Sequence, residues 1–528
     1  MAETPPLADR FPPGLGTVAV SLAAGIAGLA GSYAAVGFAP SFVVSPVERA
    51  LSLYMPGAVI TVAITVLGDL GQQLNLAAAA AIVVGLFALL VGLTIGIGRQ
   101  VNSRLVPVVG TAVTVWVATA TLTVRPVAAF GPAVAACAVV LVTDLSLTGE
   151  RIAGGRVSGE ADPNGRRRVL AGVGAAAGAS AIGVALGEER SSTSVMGVNQ
   201  DIYGEVDAPT YDVDDQLAAA DEAAFSVDGM EPLVSEDFYN VDISSIDPSP
   251  SAADWSLSIT GEVEEEVEVS YSDVREMDYE HRFVTLRCVG ENLNGRKMDT
   301  ALWTGVPIRP LLERAAPTSD CECVMLRAKD GFYEEFPLEA LEGGLLAIGM
   351  NGDPLPRAHG APARALVPGH WGEVNVKWLT EIELLARERR GYWEKKGWQG
   401  TGPVNTVAKL HGRDRTDDGR LVVGGHAYAG TRGIQRVEVS TDGGDSWTEA
   451  ELTDPLPGAS GPARDDSPER AEDAWRQWKR EYDSPGGVHE VVVRATDRNG
   501  QRQTLEESGP VPSGATGWVS RTIDPDEL

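Results

Sequence analysis

Residues 282–315 read RFVTLRCVGENLNGRKMDTALWTGVPIRPLLERA, and this stretch constrains the fold more than any other part of the chain. A β-rich run ends at Cys288, and a loop rich in Gly, Asn and Arg follows it. The segment VPIRPLLERA then has the apolar spacing of an amphipathic helix. Short strands and helices in this order predict an α+β domain, for which we set the limits 226–400.

Cys288 stands where the strand meets the loop, and a thiolate there can be a nucleophile or a metal ligand. The arginines on either side, Arg287 and Arg296, would favour the thiolate. Hydrolysis by a Cys–His pair would need a base such as His281. A plain structural cysteine and a single soft ligand to a metal are the other interpretations. The residues alone leave all three open.

The charge of the chain excludes one class of function. It carries 73 Asp and Glu against 43 Lys and Arg, a formal net charge of −30. A surface that binds nucleic acid would need the opposite sign. A carboxylate-rich surface stays hydrated at high salt, so we predict a halophilic protein, with a specific cationic partner as the alternative.

The chain has four cysteines, too few for a disulfide scaffold of this length. The spacings of c-type haem and iron–sulfur motifs are missing, so we expect neither group. Cys137 lies in an apolar stretch and is predicted to be inert. Cys321 and Cys323 could form half of a metal site or a strained disulfide, but we predict two ordinary strand cysteines.

The N-terminal part is predicted to be an α-helical membrane bundle over 15–187. Six apolar stretches are long enough to span a bilayer, and they cover 15–38, 53–71, 76–97, 105–123, 126–145 and 168–187. GDLGQQLN (68–75) reads as the turn between the second and the third. All six histidines lie outside these stretches, which argues against a haem between the helices. The bundle is therefore expected to be an anchor or a docking surface.

The arginines predict the orientation of this bundle. With the N-terminus outside, most arginines before residue 188 fall in cytoplasmic loops, so the rest of the chain would lie outside the membrane. RRRVLAGVGAAAGASAIGVALG (166–187) can be a twin-arginine export signal or simply follow the positive-inside rule. Both interpretations stay open.

Two further regions complete the predicted organisation. Residues 188–225 are acidic without sustained periodicity and predict a linker. Residues 401–528 contain alternating strands, and TDGGDSW (441–447) reads as a hairpin turn. This pattern predicts an immunoglobulin-like β-sandwich with a role in packing or dimerisation.

Several separated motifs together indicate a family. The stretch 282–315, GMNGDPLPRAHGAPARALVPGHWGEVNVKWLTEIEL (349–384), GYWEKKGWQG (391–400) and IQRVEVSTDGGDSWTEAEL (434–452) resemble the sulfite-oxidase family of molybdopterin enzymes. The resemblance covers roughly 230–528 in the same order. It implies a sulfite-oxidase-like fold, a molybdenum–molybdopterin cofactor and a C-terminal dimerisation domain, hence a homodimer.

The resemblance also implies roles for individual residues. Cys288 falls where the family has its single protein thiolate on molybdenum. Eight further residues match positions that hold the cofactor: Tyr239, Asn240, Asp330, His359, Arg364, Asn375, Val376 and Lys377. For Asn375 and Val376 the backbone is the matching group.

Two substitutions separate this chain from sulfite-oxidising members. A family tyrosine that reaches the substrate matches Trp398, whose indole N–H donates but cannot accept. A family arginine near the Phe–Tyr segment has no counterpart here, where Asn240 follows Tyr239. An anionic substrate would lose a charge-assisted hydrogen bond worth roughly 1.5–3 kcal/mol, unless Arg287, Arg296 or Arg357 compensates. Trp398 and Asn240 are therefore predicted to shape the substrate pocket.

The predicted membrane bundle and the resemblance together indicate a membrane-anchored molybdopterin oxidoreductase that faces outward. The resemblance implies that it transfers an oxygen atom as molybdenum cycles between Mo(VI) and Mo(IV). The substrate would be sulfite or an S- or N-oxide, and we favour the oxides. An external carrier such as a small copper protein or a cytochrome would exchange electrons. The alternatives are a sulfite oxidase proper, an inactive binding or assembly protein with this fold, and a thiol-dependent hydrolase using Cys288.

Overall fold

The structure is a computed structural model, which describes residues 14–151, 174–188, 202–204, 206, 209–318, 320–463 and 470–528. The triple arginine at 166–168 lies outside the described residues. Two compact units divide the chain, and each is described by itself. One consists of Met1–Met55, Asp69–Gly197 and Asp242–Pro248, and the other of Pro56–Gly68, Val198–Val241 and Ser249–Leu528.

Apolar helices dominate the N-terminal part. They are α1 (Leu15–Val36), α2 (Ser45–Tyr54), α3 (Gly57–Val62) with a π-helical turn at Ala63–Leu67, α4 (Asp69–Gln100), α5 (Leu105–Thr123), α6 (Phe130–Arg151) and α7 (174–188). Among the described residues, three helices are long and apolar enough to cross a membrane: Gly16–Val36, Leu70–Gln100 and Leu105–Thr123. The broken pair Ser45–Tyr54 and Gly57–Leu67 would make a fourth.

The predicted span 53–71 is wrong, because the chain breaks there. Met55 is extended (φ −61°, ψ 134°), since the ring of Pro56 disfavours helix at the preceding residue. GDLGQQLN is not a turn either, because α4 begins at Asp69 and runs through it. The Asn75 amide donates to Ser52 Oγ at 2.9 Å, which pairs one of its polar groups inside the helical unit.

Close backbone contact joins two of these helices. A methyl group on either Gly31 of α1 or Gly131 of α6 would collide with the backbone carbonyl of the other. Small residues at a crossing allow such contact between apolar helices.

Two five-stranded sheets form the central α+β domain. The first has the order β2-β1-β10-β5-β6, with β1 (Ser256–Gly261), β2 (Val267–Ser270), β5 (Cys323–Ala328), β6 (Tyr333–Pro337) and β10 (Leu379–Leu384). The second has the order β3-β4-β7-β8 with β9 on β7, and contains β3 (Glu280–Arg287), β4 (Met298–Pro307), β7 (Leu345–Met350), β8 (Asp353–Pro354) and β9 (Arg364–Leu366).

One core unites the two sheets. Leu257 and Ile382 of the first sheet and Trp303 and Leu346 of the second are all buried in it. Short helices close its sides, namely α9 (Tyr271–Glu276), α10 (Arg309–Ala315) and α11 (Leu338–Glu342). Two sheets and short helices around one core therefore give the expected α+β class.

Two antiparallel sheets form the C-terminal part. One contains β11 (Val407–Ala408), β12 (Gly412–Arg415), β13 (Leu421–Tyr428), β16 (Glu451–Leu452) and β17 (Arg476–Tyr482). The other contains β14 (Ile434–Ser440), β15 (Thr448–Glu449), β18 (His489–Asp497) and β19 (Val519–Ile523). Trp478 and Val437 lie in the core that both sheets share. An immunoglobulin-like strand order stays a prediction.

The predicted linker 188–225 differs from the structure from residue 202 onward. Tyr203 is buried in the central core, and its hydroxyl donates to Leu355 O at 3.2 Å. Tyr211 N donates to Gly352 O at 2.9 Å, and helix α8 (Asp214–Ala223) buries Ala220. A few apolar side chains thus fix a segment whose acidic composition predicted a tether.

Cys321 and Cys323 form a disulfide, with their Cα atoms 5.2 Å apart. The prediction of two ordinary strand cysteines is therefore wrong. Strand β5 begins at Cys323, and Glu322 between the cysteines has a φ of 52°. The chain therefore turns before the strand, which brings the two sulfurs together.

Candidate active site

Cys288 follows directly after β3, with its side chain partly exposed. Its backbone N–H donates to Lys297 O at 2.9 Å, which fixes the start of the loop against β4. Burial raises the pKa of the Cys288 thiol to about 11, and the Glu291 and Glu373 carboxylates add to this, although the Gly290 N–H acts in the opposite direction. The thiol is therefore a poor free nucleophile at neutral pH, which argues against the hydrolase.

The nearby arginines bind other groups, contrary to the expectation that they favour the thiolate. Arg287 is buried, and its Nε donates to Glu291 Oε1 at 2.9 Å. Arg296 pairs with Glu231 at 3.1 Å, with more than half of its side chain exposed. A metal would displace the thiol proton by direct coordination, without help from these cations.

Glu291 is the centre of a buried ion cluster that holds the Cys288 loop. Besides Arg287, it accepts from Lys409 Nζ at 2.7 Å and from the Lys297 backbone N–H at 2.9 Å. Burial alone would raise the pKa of Glu291, but Lys409 and Arg287 outweigh it and hold the pKa below its ordinary value. Lys409 belongs to the C-terminal part, so that part takes a direct share in shaping the loop.

Tyr239 lies between the thiol and the rest of the predicted site. Its backbone N–H donates to Asp299 Oδ2 at 2.7 Å, and its ring stacks on Phe238 at 5.5 Å. A methyl group on Gly372 would lie 2.7 Å from Tyr239 Oη and 3.3 Å from Arg287 O. Only a glycine therefore lets the tyrosine approach the backbone that precedes Cys288.

A second group of predicted residues forms a cationic corner. Lys377 Nζ donates to the side-chain oxygen of Asn240 and to Ala358 O, the latter at 2.8 Å. Arg364 is buried and donates to His359 O at 3.2 Å and to Asn375 O at 2.7 Å. Burial lowers the pKa of His359 to about 3, and Lys377 and Arg364 add to this, so its imidazole is neutral.

Phe238 connects this corner to Tyr239, because its ring is also in edge contact with His359 at 5.5 Å. The Nδ1 atom of His359 is buried without a hydrogen-bond partner among the described residues. The corner thus combines two cations with an unsatisfied polar atom, as an anion-binding site requires.

The structure brings most of the predicted residues together, with two differences. The Asn375 side chain supports the fold, because it accepts from Val367 N at 2.7 Å and donates to Trp371 O at 3.0 Å. The backbone oxygen of Val376 accepts from Ala365 N at 2.9 Å. Asp330 stabilises its own turn by accepting from Phe332 N at 2.9 Å, and none of its described hydrogen bonds joins it to Cys288.

Trp398 lies beside the thiol. A methyl group on Gly290 would lie 3.6 Å from Trp398 Cη2 and 3.8 Å from Cys288 Sγ. The side chain of Trp398 is buried, and its Nε1 has no hydrogen-bond partner among the described residues. Trp398 thus has an unused buried donor and places its Cη2 atom near the thiol, and its role in the substrate pocket stays a prediction.

Three glutamates close to this site were missed by the sequence analysis. One oxygen from each of Glu334, Glu373 and Glu394 lies within 4.8 Å of the others. Burial raises the pKa of Glu373 to about 8, with Glu394 adding to it, and it raises the pKa of Glu334 well above its ordinary value. The only sequence signal is that Glu373 and Glu394 each follow an aromatic residue closely.

Two family matches decide what this site belongs to. Residues 243–393 match the oxidoreductase molybdopterin binding domain, and residues 405–508 match the Mo-co oxidoreductase dimerisation domain. Together the two matches support the assignment of this part of the chain to the sulfite-oxidase family of molybdopterin oxidoreductases. The resemblance stated from the motifs is thereby supported at the level of these two domains.

Several known proteins are similar to part of the chain. A mitochondrial sulfite oxidase of Macaca fascicularis is 30% identical over 178 residues, 29% of this chain, and this chain covers 31% of that protein's length. The uncharacterized oxidoreductase YuiH of Bacillus subtilis is 29% identical over 150 residues, 28% of this chain and 74% of YuiH. The sulfane dehydrogenase SoxCD of Paracoccus pantotrophus has a TM-score of 0.44 and 21% identity, over 54% of this chain and 79% of that one.

The described residues fit the cofactor of this family. Molybdopterin offers molybdenum to a thiolate and a phosphate to cations, and the chain has Cys288 at one end and Arg364 and Lys377 at the other. The unsatisfied Nδ1 of His359 is a further polar atom that a ligand could pair. The individual contacts to the cofactor stay predictions.

Proposed function

We propose that the protein is a membrane-anchored molybdopterin oxidoreductase that transfers an oxygen atom to or from a small, neutral S- or N-oxide. This proposal rests on one arrangement of side chains. Cys288 lies at one end of the stacked pair Tyr239 and Phe238, and His359 lies beside Arg364 at the other end. When bound, the molybdenum would supply two-electron oxygen-atom transfer.

The residues of the chain would divide the remaining work. Cys288 would ligate the metal, and the buried Glu291 cluster would keep its loop in place. Arg364, Lys377 and His359 would hold the phosphate and the pterin. The unused indole N–H of Trp398 would donate to the substrate oxygen, and Asn240 would be held by Lys377 at the edge of the pocket.

Electrostatics favours a neutral substrate over sulfite. Arg287 is already bonded to Glu291 and to Asn405 O at 3.0 Å, and Arg296 pairs with Glu231. Glu291 is charged and raises the pKa of the Cys288 thiol, so its charge would also act against an anion that approaches the thiol. Sulfite oxidation is the second candidate, favoured by the 30% identity to mitochondrial sulfite oxidases.

Location and partners belong to the same proposal. The apolar helices would anchor the protein in the cell membrane, with the catalytic domain on the outer side. A small copper protein or a cytochrome would exchange electrons there. The match to a dimerisation domain supports a homodimer.

The first test is the molybdenum and pterin content of the purified full chain, wild type beside Cys288→Ser. We expect about one molybdenum per wild-type chain, and retention of pterin but loss of oxide turnover in the variant. Turnover of sulfite in preference to oxides would favour the second candidate. A chain without molybdenum, produced in a host that makes the cofactor, would contradict the proposal.

A further inference from the structure

A short segment from the apolar N-terminal part lies in the same compact unit as the active site. Residues Pro56–Gly68 belong to that unit, and they contain helix α3 and the π-helical turn Ala63–Leu67. Gly57 lies against the turn Glu394–Lys396, because a methyl group on it would be 2.9 Å from the Cα of Lys396. The segment therefore packs on the loop that leads to Trp398.

Ile64 brings this segment to the thiol. The methyl position on Gly290 that is 3.8 Å from Cys288 Sγ and 3.6 Å from Trp398 Cη2 is also 3.4 Å from Ile64 Cγ2. Ile64 packs against the apolar cluster that contains Val289 and Trp398. The side chains of Ile64, Cys288 and Trp398, from three separate stretches of sequence, thus all lie within 4 Å of one point.

The two sides of the segment differ in exposure. Ile60 is 7% exposed and Ile64 is partly buried, one helical turn further on. Val59, Val62 and Val66 are 53%, 52% and 74% exposed. The side that carries Ile64 is therefore the packed one, and the exposed valines offer matched control positions.

We propose that Ile64 is a specificity-determining residue, which forms an apolar wall of the reaction site beside Cys288 and limits the size of the substrate's non-reacting group. The substrate class is then a neutral S- or N-oxide with small apolar substituents. This inference rests on the proposed function. The wall comes from the segment 56–68, which lies outside both family domains.

Selectivity against larger substituents should follow from the volume of Ile64. An apolar side chain excludes a substrate group that would overlap it, and one methylene group in an apolar pocket changes kcat/KM by roughly 10–200-fold. Ile64→Ala removes three carbons from the wall. The preference for dimethyl sulfoxide over butyl methyl sulfoxide should therefore fall by roughly tenfold or more.

The placement of Ile64 is tested first, without using activity. In the full-length holoenzyme, Ile64→Cys is combined with Gly290→Cys or, in a second variant, with Trp398→Cys. We expect a disulfide in at least one pair after mild oxidation, detected by mass spectrometry of the digested chain. Val59→Cys with the same partners is the control and should not cross-link. Cross-linking of Val59 but not of Ile64 would overturn the placement.

Selectivity is then measured with Ile64→Ala and Val59→Ala across alkyl methyl sulfoxides of increasing length, at matched molybdenum content. We expect altered selectivity in Ile64→Ala alone. Unchanged selectivity in an active Ile64→Ala enzyme would overturn the inference and leave the proposed function intact. Cross-linking of the Ile64→Cys variants, together with a wild-type holoenzyme that turns over none of the oxides, would overturn the proposed function and retain Ile64 as a wall of the site.

Discussion

Replacing Lys409 by methionine should destabilise the soluble unit more than any surface ion-pair deletion. The Lys409 ammonium is 2% exposed and lies 2.7 Å from Glu291 Oε2 and 2.8 Å from Gly295 O. Methionine has a similar length but no charge, so the Glu291 carboxylate would stay buried with one cation fewer. Breaking a buried pair in this way costs about 3–5 kcal/mol.

The remaining bonds to Glu291 set the expected value within that range. Arg287 Nε and the Lys297 backbone N–H would still contact the carboxylate, so we expect about 3 kcal/mol. For domains of 150–250 residues, 1 kcal/mol shifts Tm by about 2–4 °C. Thermal unfolding of the full chain in detergent should therefore show a decrease in Tm of roughly 6–12 °C.

Arg296→Met provides the matched control. Arg296 also bonds a glutamate, Glu231, at 3.1 Å and a backbone carbonyl, but 56% of its side chain is exposed. An exposed pair contributes about 0–1 kcal/mol, so its Tm should barely change. If Lys409→Met lost no more stability than Arg296→Met, the reasoning that the buried cluster holds the Cys288 loop would be refuted.

Three further outcomes are expected. Burial and Glu394 raise the pKa of Glu373 to about 8, so the folded protein keeps a proton that the unfolded chain loses above about pH 4.5, and the stability of the wild type should fall as the pH rises to 8. The difference in Tm between Glu373→Gln and the wild type should therefore grow in favour of the variant from pH 5 to pH 8, and a constant difference would contradict this. Trp398→Phe removes the unused N–H donor, so it should lower kcat/KM for oxides by roughly tenfold or more at unchanged molybdenum content. An unchanged kcat/KM would show that this donor does not contact the substrate. Gly360 has a φ of 108°, and a methyl group there would lie 3.0 Å from Lys377 Cα, so Gly360→Ala should reduce the amount of bound molybdenum. A methyl group on Gly343 would meet no atom within 4 Å, so Gly343→Ala is the control and should leave the molybdenum content unchanged.

The residues of the candidate site could be chosen from the sequence because dense motifs of special residues surround them. Cys288, His359 and Lys377 each lie in a stretch where Gly, Pro and aromatic residues leave few backbone alternatives. The structure brings His359 and Lys377 to one corner, and their contacts with the cofactor stay predictions. The raised pKa of the Cys288 thiol could not be predicted from the sequence, because the sequence does not show that Arg287 and Arg296 form ion pairs with Glu291 and Glu231.

The parts that sequence reasoning missed depend on long-range packing. Ile64 reads as one more apolar residue in a membrane span, and only Pro56 hints at a break in that span. Glu373 and Glu394 belong to different loops, so the sequence does not show that they lie close together. Tyr203 shows the same limit, since one aromatic residue in an acidic stretch cannot outweigh the composition around it.

The Cys321–Cys323 disulfide closes a loop with one intervening residue. So short a ring constrains the unfolded chain only slightly, and it therefore contributes little as a brace. The disulfide instead indicates the compartment in which this part of the chain matures, since such bonds persist in oxidising surroundings and are rare in the cytosol. Alkylation of intact cells before lysis would count two more reactive thiols in a chain that matured in the cytosol than in one that matured outside. The redox state of Cys321 and Cys323 would thus show on which side of the membrane this part of the chain lies.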